Sequence, residues 1–311
     1  MTLLVRKELI TVELESTYRD ATAPDVNDAV FCYDVSWNNE AKMLDRNGPS
    51  NSLATFRQTY GGRTATLTFK VEIKGSGTEG TAPEYDKLLK ICGFDSTIVA
   101  STSVTYKPET YTSSTFPSGA VYYYQDGRLK IMRGVRGNVK FVMNAQEFGY
   151  MEFTLHGHPT NDSDTAILNP SYASQLPPQF VGSNLNFASA VLSATKLEID
   201  MQNEIIKPLD TRADNGIGEI RVGSRNPMAS VDPEGVLVAT NPIYTSWTTN
   251  ASGQLDSGLI GTTAGNRYQF TMPAAYIKDI QEADRDGLRT QDIQFGLTES
   301  SEDDEISFVL T

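Results

Sequence analysis

The sequence predicts a mainly β fold (α+β), organised as two domains in tandem. Three observations carry that prediction. Apolar and polar residues alternate in one short run after another, the period of strands with one buried face. Helical spacing is convincing at one place in the first half and plausible at one in the second. Between the halves, from about Gly157 to Asn186, the pattern gives way to Pro, Ser, Asn and Asp, with Pro177-Pro178 among them. At 311 residues the chain also exceeds the roughly 100–200 residues of a usual domain. The expected division is a first domain at 1–160, a linker at 161–186 and a second domain at 187–311.

The first half opens with a strand at Leu9-Ile10-Thr11-Val12-Glu13-Leu14, followed by Ala29–Trp37 and Thr66–Lys74. In the third run Leu67, Phe69, Val71 and Ile73 share one face, while Thr66, Thr68, Lys70, Glu72 and Lys74 share the other. A helix follows. Thr81 and Glu84 have capping-box spacing, and Pro83 falls in the first turn, where its missing N–H costs nothing. Tyr85, Leu88, Leu89 and Cys92 keep helical spacing, and Gly93 supplies the stop. Strands then run at Thr102–Lys107, Gly119–Tyr124, Leu129–Arg133, Val139–Asn144 and Tyr150–Leu155, with Gln125-Asp126-Gly127-Arg128 as a hairpin turn.

The second half has strand patterns at Ala190–Met201, Gly218–Arg225, Arg267–Met272, Thr290–Leu297 and Ile306–Leu310. A short helix is expected around Pro233 to Thr248, broken or restarted by Pro242. The halves also echo each other. Val35-Ser36-Trp37-Asn38-Asn39-Glu40-Ala41 and Ile199-Asp200-Met201-Gln202-Asn203-Glu204-Ile205 both lead a strand into Asn-Glu and a polar loop. A duplicated domain would halve the number of chains a symmetric ring requires.

The formal charge is −13 and uneven: residues 1–165 carry 17 basic and 20 acidic side chains, residues 166–311 carry 9 and 19. Such a chain is a poor nucleic-acid binder, because that affinity comes mainly from neutralising phosphates. It does not exclude a protein past which DNA slides. No apolar run approaches the ~20 residues of a membrane-spanning helix. The segment from Met1 to Lys7 lacks a signal peptide's apolar stretch, so synthesis in the cytoplasm is expected. Cys32 and Cys92, 60 positions apart, are expected as buried free thiols.

Several motifs invite chemistry. Gly75-Ser76-Gly77-Thr78-Glu79-Gly80 matches the G-x-G-x-x-G of a dinucleotide-binding turn, and Asp95 stands 20 residues beyond Gly75. The preceding strand is wet on one face and no βαβ alternation follows, so a flexible glycine-rich connection is expected instead. His156 and His158 lie two apart at a strand end, without an evident third metal ligand. Glu282 to Gly287 resembles a calcium loop, but Ile293 occupies the position that requires a bidentate Glu, so a charged turn is expected. Glu302-Asp303-Asp304-Glu305 reads as a solvated hairpin tip, with contact to a neighbouring subunit as the alternative. No catalytic set, metal or cofactor is singled out, and an enzyme is not expected.

Asp45 to Gly62, DRNGPSNSLATFRQTYGG, is a long polar stretch between two strands. Long loops in compact domains are usually functional or disordered. Arg46, Asn47, Leu53, Phe56, Arg57, Tyr60 and Arg63 combine charge with apolar anchors, as suits a loop that orders against a partner. Its counterpart in the second half is Thr211 to Gly218, with Arg212, Asp214 and Asn215.

The chain resembles the major tail tube proteins of bacteriophages with long, non-contractile tails. The resemblance is carried by Gly77-Thr78-Glu79-Gly80-Thr81-Ala82-Pro83-Glu84-Tyr85 with Leu88 to Phe94, then Val104-Thr105-Tyr106-Lys107-Pro108, Tyr122 to Gly127 and Gly134 to Val139. Gly261 to Asn266 and Asp303 to Ile306 carry it more faintly in the second half. It implies two tandem tail-tube-like domains of β-sandwich or half-barrel type, each with one short flanking helix; the second half could instead be an outward decoration domain.

The resemblance further implies self-assembly into stacked rings that conduct genomic DNA into the host. A trimer with pseudo-sixfold symmetry is the first expectation and a hexamer the alternative. The contact to the adjacent ring falls on Asp45–Gly62. Further partners would be tape measure, tail terminator and distal tail proteins, with double-stranded DNA in transient, non-specific passage and no membrane. The location would be the virion tail, assembled in the host cytoplasm. A second reading is a tail-associated receptor- or carbohydrate-binding β-protein.

Overall fold

A computed structural model describes residues 3–112, 115–238, 240–241 and 243–311. The first half comprises β1 (Glu8–Leu14), β2 (Ala29–Val30), β3 (Cys32–Leu44), β4 (Thr59–Glu72), α1 (Asp86–Ile91), β5 (Phe94–Val99), β6 (Ser103–Pro108), β7 (Gly119–Gln125), β8 (Arg128–Asn144), β9 (Tyr150–Pro159) and β10 (Ser163–Asp164). The second comprises β11 (Asn186–Phe187), β12 (Ala190–Val191), β13 (Ala194–Asp200), β14 (Ile205–Ile206), β15 (Arg221–Val222), β16 (Met228–Pro233), α2 (Ile243–Thr248), β17 (Ser252–Asp256), β18 (Tyr268–Arg285), β19 (Leu288–Thr298) and β20 (Ser307–Leu310). The fold is mainly β, and both helices are six residues long.

Every pairing between the named strands is antiparallel, and the two halves are wired alike. In the first, the hydrogen-bonded order is β2-β1-β7-β8-β9-β4-β3. In the second it is β12-β11-β17-β18-β19-β16-β13. Each helix sits between the same two strands in sequence, β4 and β7 or β16 and β17. A further strand extends the last edge in each: β10 on the start of β8 and β20 on the start of β18. The differences are local. The first half inserts the β5–β6 hairpin after its helix, and the second carries the separate β14–β15 pair.

The halves are sewn together twice. The far end of β8, past the last residue paired with β7, takes β13 as its neighbour, from Lys196↔Asn144 to Asp200↔Lys140. The terminal strand β20 slots between β18 and β6. One apolar core therefore runs from Ile10 to Leu310. At its centre Phe141 meets Phe270 and Phe308 with ring centroids 4.9 and 5.6 Å apart, and Phe270 stacks on Phe308 at 4.6 Å. Such pairs add about 0.5–1.5 kcal/mol each beyond their burial. Residues 161–186 run along this body: Phe180 enters the main core, while Ile167, Leu168 and Tyr172 cover a smaller cluster on Leu9, Tyr122 and Tyr124.

Several local expectations need correction. Leu129–Arg133 and Val139–Asn144 belong to one strand, bulged between Arg133 and Arg136, where Gly134 takes φ +60°. The Thr81–Glu84 capping box does not form; α1 starts at Asp86 without a side-chain cap. Glu84 is used elsewhere, accepting from the Phe31 N–H and facing Lys74 at 3.6 Å. Around Pro233 to Thr248 only Ile243–Thr248 is helical, and Pro242 lies outside the described residues. Gly218–Arg225 contracts to Arg221–Val222. Cys92 is buried, but Cys32 is only partly so. Among the described residues no helix is long and apolar enough to cross a membrane.

Candidate functional site

The most conspicuous exposed feature is the β3–β4 hairpin. Its base pairs Cys32 with Val71, and its last rung pairs Leu44 with Thr59. Inner positions such as Leu67 and Phe69 are buried, but from Asn39 through Gly61 every residue is exposed. With about 3.4 Å per residue along a strand, this part is an arm roughly 20 Å long that finds no core on either face. Among the contact residues expected from sequence, Arg46, Asn47, Leu53, Phe56 and Arg57 lie in the loop at its tip, and Tyr60 lies on β4 just below. Leu53 is fully exposed at 106% and Tyr60 is 56% exposed. Met43, Leu44 and Phe56 are exposed along with them.

Arg63 behaves differently. Its Nη2 donates to the Thr160 carbonyl at 2.6 Å and to Asn161 Oδ1 at 3.3 Å, which fixes it to the body at the root of the arm. Asn215 joins it there: its Nδ2 donates to the Arg63 carbonyl at 3.3 Å and stands 2.9 Å from His158 Nδ1. Gly62, at φ +106°, lies so close that a Cβ would overlap the Asn215 carbonyl. The two loops proposed from sequence therefore meet through Arg63 and Asn215, while Arg212 and Asp214 remain exposed.

The root is electrostatically tuned. Lys207 approaches Glu40 at 2.7 Å, and Thr66 and Thr64 donate to the same carboxylate. Lys207 first, then Thr66, hold the Glu40 pKa down at about 2. His156 faces Thr66 at 3.0 Å, and burial pushes its pKa down to about 4. His158 is 2% exposed, packed between the Tyr18 hydroxyl and Asn215, and burial likewise lowers it to about 4. The two histidines thus serve separate hydrogen-bond networks.

The second feature is the β8–β13 seam. Asn138 Nδ2 donates to Asp200 at 2.8 Å, and Asn203 Nδ2 donates to the Cys92 and Gly137 carbonyls at 2.8 and 3.0 Å. Lys140 pairs with Glu198 across the ladder at 3.0 Å. Two edges corresponding to this seam remain open. β17 covers β18 only over Thr271–Tyr276, so Ile277–Arg285 has no main-chain partner on that side among the described residues. The outer edge of β3, which answers to β13, has none either.

Two sequence readings are overturned here. The glycine run is not a slack connection. A Cβ on Gly75 would overlap the Gly265 carbonyl, and Gly77 and Gly80, at φ +87° and +68°, are equally hemmed in. The Gly77 N–H donates to the Gly265 carbonyl at 3.0 Å and the Gly75 N–H to Asn266 at 2.8 Å. Glu302–Glu305 is a solvated tip only at Glu302, which is exposed. Arg225 pairs with Asp303 and Glu305, Asp303 also accepts from Thr110, and Asp304 accepts from Ser300 and Ser301. Sequence gave no sign of Arg225 as the partner, because it lies about eighty positions away. The chain matches no protein-family model and no curated protein.

Proposed function

We propose that the chain is a structural virion protein: a subunit of a bacteriophage tail tube whose two halves are tandem tube domains. The observation that carries this reading is the seam. One half presents the free end of β8, the other adds β13 to it, and the matching β18 and β3 edges have no main-chain partner among the described residues, with α2 packed beside β18. An open edge is an aggregation hazard unless something covers it. Here the complementary cover is a second copy, and adding it repeats a contact the chain already makes with itself.

Because β18 meets β3 and not itself, the association is head to tail, which closes into a ring if the rotation permits. Three chains would bring six half-units round the ring, and the β3–β4 arm would reach the next ring along the axis. The acidic balance of −13 suits a bore through which DNA passes without sticking. Such a protein would be assembled in the host cytoplasm and reside in the virion tail.

Electron microscopy of the concentrated protein tests the reading. Stacked rings with three- or six-fold symmetry are expected. Monomers under all conditions would overturn it, and a discrete oligomer that binds host cells would replace it with a receptor-binding role.

A further inference from the structure

The seam between the halves has a second layer, outside the strand ladder. The connection from β4 to α1, at Lys74 to Gly80, is covered by two pieces of the second half. One is the β17–β18 loop, through Gly265 and Asn266. The other is the stretch preceding β11: the Ala173 carbonyl accepts from Lys74 at 3.5 Å, and Gln175 packs on Gly77. These two pieces are bonded to each other, Asn266 Nδ2 donating to the Leu176 carbonyl at 2.8 Å.

The first half holds the same two pieces in the same mutual arrangement. The β7–β8 turn presents Asp126, which accepts from the Leu4 N–H at 2.9 Å and faces Lys7 at 3.4 Å, in the stretch preceding β1. The turn takes the Thr165 N–H on its Gly127 carbonyl at 2.9 Å, but the stretch before β1 is exposed from Leu3 to Lys7. Leu3, Leu4 and Val5 are 42%, 58% and 90% exposed. In the second half, the connection from β16 to α2 is the counterpart of the covered Lys74–Gly80 segment, and its Glu234–Val238 stretch is exposed. Val236, Leu237 and Val238 are 50%, 80% and 59% exposed. Three consecutive exposed apolar residues at each end are matched in size and character, and water contact with both is unfavourable.

We propose that Leu3, Leu4 and Val5 of one copy dock on Val236, Leu237 and Val238 of the next copy, forming the outer layer of the junction between chains. The proposal rests on the head-to-tail reading above and names the contact that reading leaves undefined. Its partner is a second copy because the chain already shows, between its own halves, both which segments meet and which strand pairing accompanies them. The contact adds an apolar layer beside the β18–β3 ladder, the counterpart of the Gly265 loop's contact with Gly75 and Gly77 within the chain.

The test uses the full chain. A Val5→Cys/Leu237→Cys double variant, treated at high concentration with a short bismaleimide, is expected to give a covalent ladder ending in a closed species. Each single variant, treated alike, controls for Cys32 and Cys92 and should not give one. Leu237→Asp is expected to raise the concentration required for assembly about tenfold or more, with the monomer's melting temperature unchanged because the side chain is bare.

Rings formed by the wild type, with no cross-link above the single variants and normal assembly of Leu237→Asp, would overturn this contact and leave the tube reading standing. A wild type that never associates would overturn both.

Discussion

The Arg136 guanidinium, with its residue 2% exposed, lies 2.9 Å from the Glu219 carboxylate and ties the first half to the second. Nη1 also donates to the Ile220 carbonyl at 2.6 Å, Nη2 to Phe116 at 2.7 Å and Nε to Pro117 at 3.2 Å. The rings of Tyr18 and Phe116 stand 5.3 and 4.9 Å from its charge. Such a group is stable in the interior only because each of its three nitrogens donates.

Replacing it should therefore cost far more than the ion pair alone. Arg136→Met is expected to destabilise the chain by about 3–5 kcal/mol, since it leaves the Phe116, Pro117 and Ile220 carbonyls without their donor, while Glu219 keeps Arg221. Glu219→Gln keeps a hydrogen-bonding side chain at a partly exposed site and should cost about 1 kcal/mol or less. Urea titration of the two variants checks the ratio. Equal losses would show that the seam does not depend on the guanidinium.

Gly75 and Gly48 make a contrasting pair. A methyl at Gly75 meets the Gly265 backbone, whereas at Gly48 nothing lies within 4 Å. Gly75→Ala is expected to cost about 1–3 kcal/mol through overpacking, and Gly48→Ala to stay within about 0.5 kcal/mol. Thermal melts of both decide it. A neutral Gly75→Ala would mean that the two halves separate easily at this contact.

The half-protein strand patterns were legible where one face is wet, as at Leu67/Phe69/Val71/Ile73, and the Gln125–Arg128 turn was legible because Asp-Gly accepts positive φ. Phe94–Val99, Met228–Pro233 and Ser252–Asp256 were not, because apolar and polar residues do not alternate cleanly along them. The arm was readable as a long polar stretch. Arg63 and Asn215 looked like free contact residues, and only the fold shows them bonded together at its root. The wiring shared by the halves left just a short echo in sequence. Strand order depends on which edges meet, and unrelated residues satisfy the same ladder.

The lowered histidines predict an acid limb in stability. An unfolded His titrates near pH 6.5, whereas His156 and His158 in the fold titrate at about 4. Between those values the unfolded chain binds protons that the folded one refuses, so stability rises with pH and falls on acidification through this window. The wild type should take up about two protons on unfolding near pH 5, and His158→Gln about one. Stability measured against pH gives the slopes directly. Identical slopes would show that His158 is protonated in the fold.

The arm gives the clearest separation of folding from assembly. Every residue from Asn39 to Gly61 is exposed, so replacing 46–57 with a two-residue Asn-Gly turn removes no core contact, and a shorter loop closes at slightly lower entropic cost. The shortened chain is expected to melt at the wild-type temperature and, on the tube-subunit reading, still to join laterally, because the β3 and β18 edges lie outside the deletion. Stacking of one ring on the next should fail, since Leu53, Phe56 and Arg57 are then gone. Electron micrographs showing single rings in place of tubes would fit. Tubes of normal length from the shortened chain would remove the arm from the axial contact, and loss of all association would place it in the lateral junction instead.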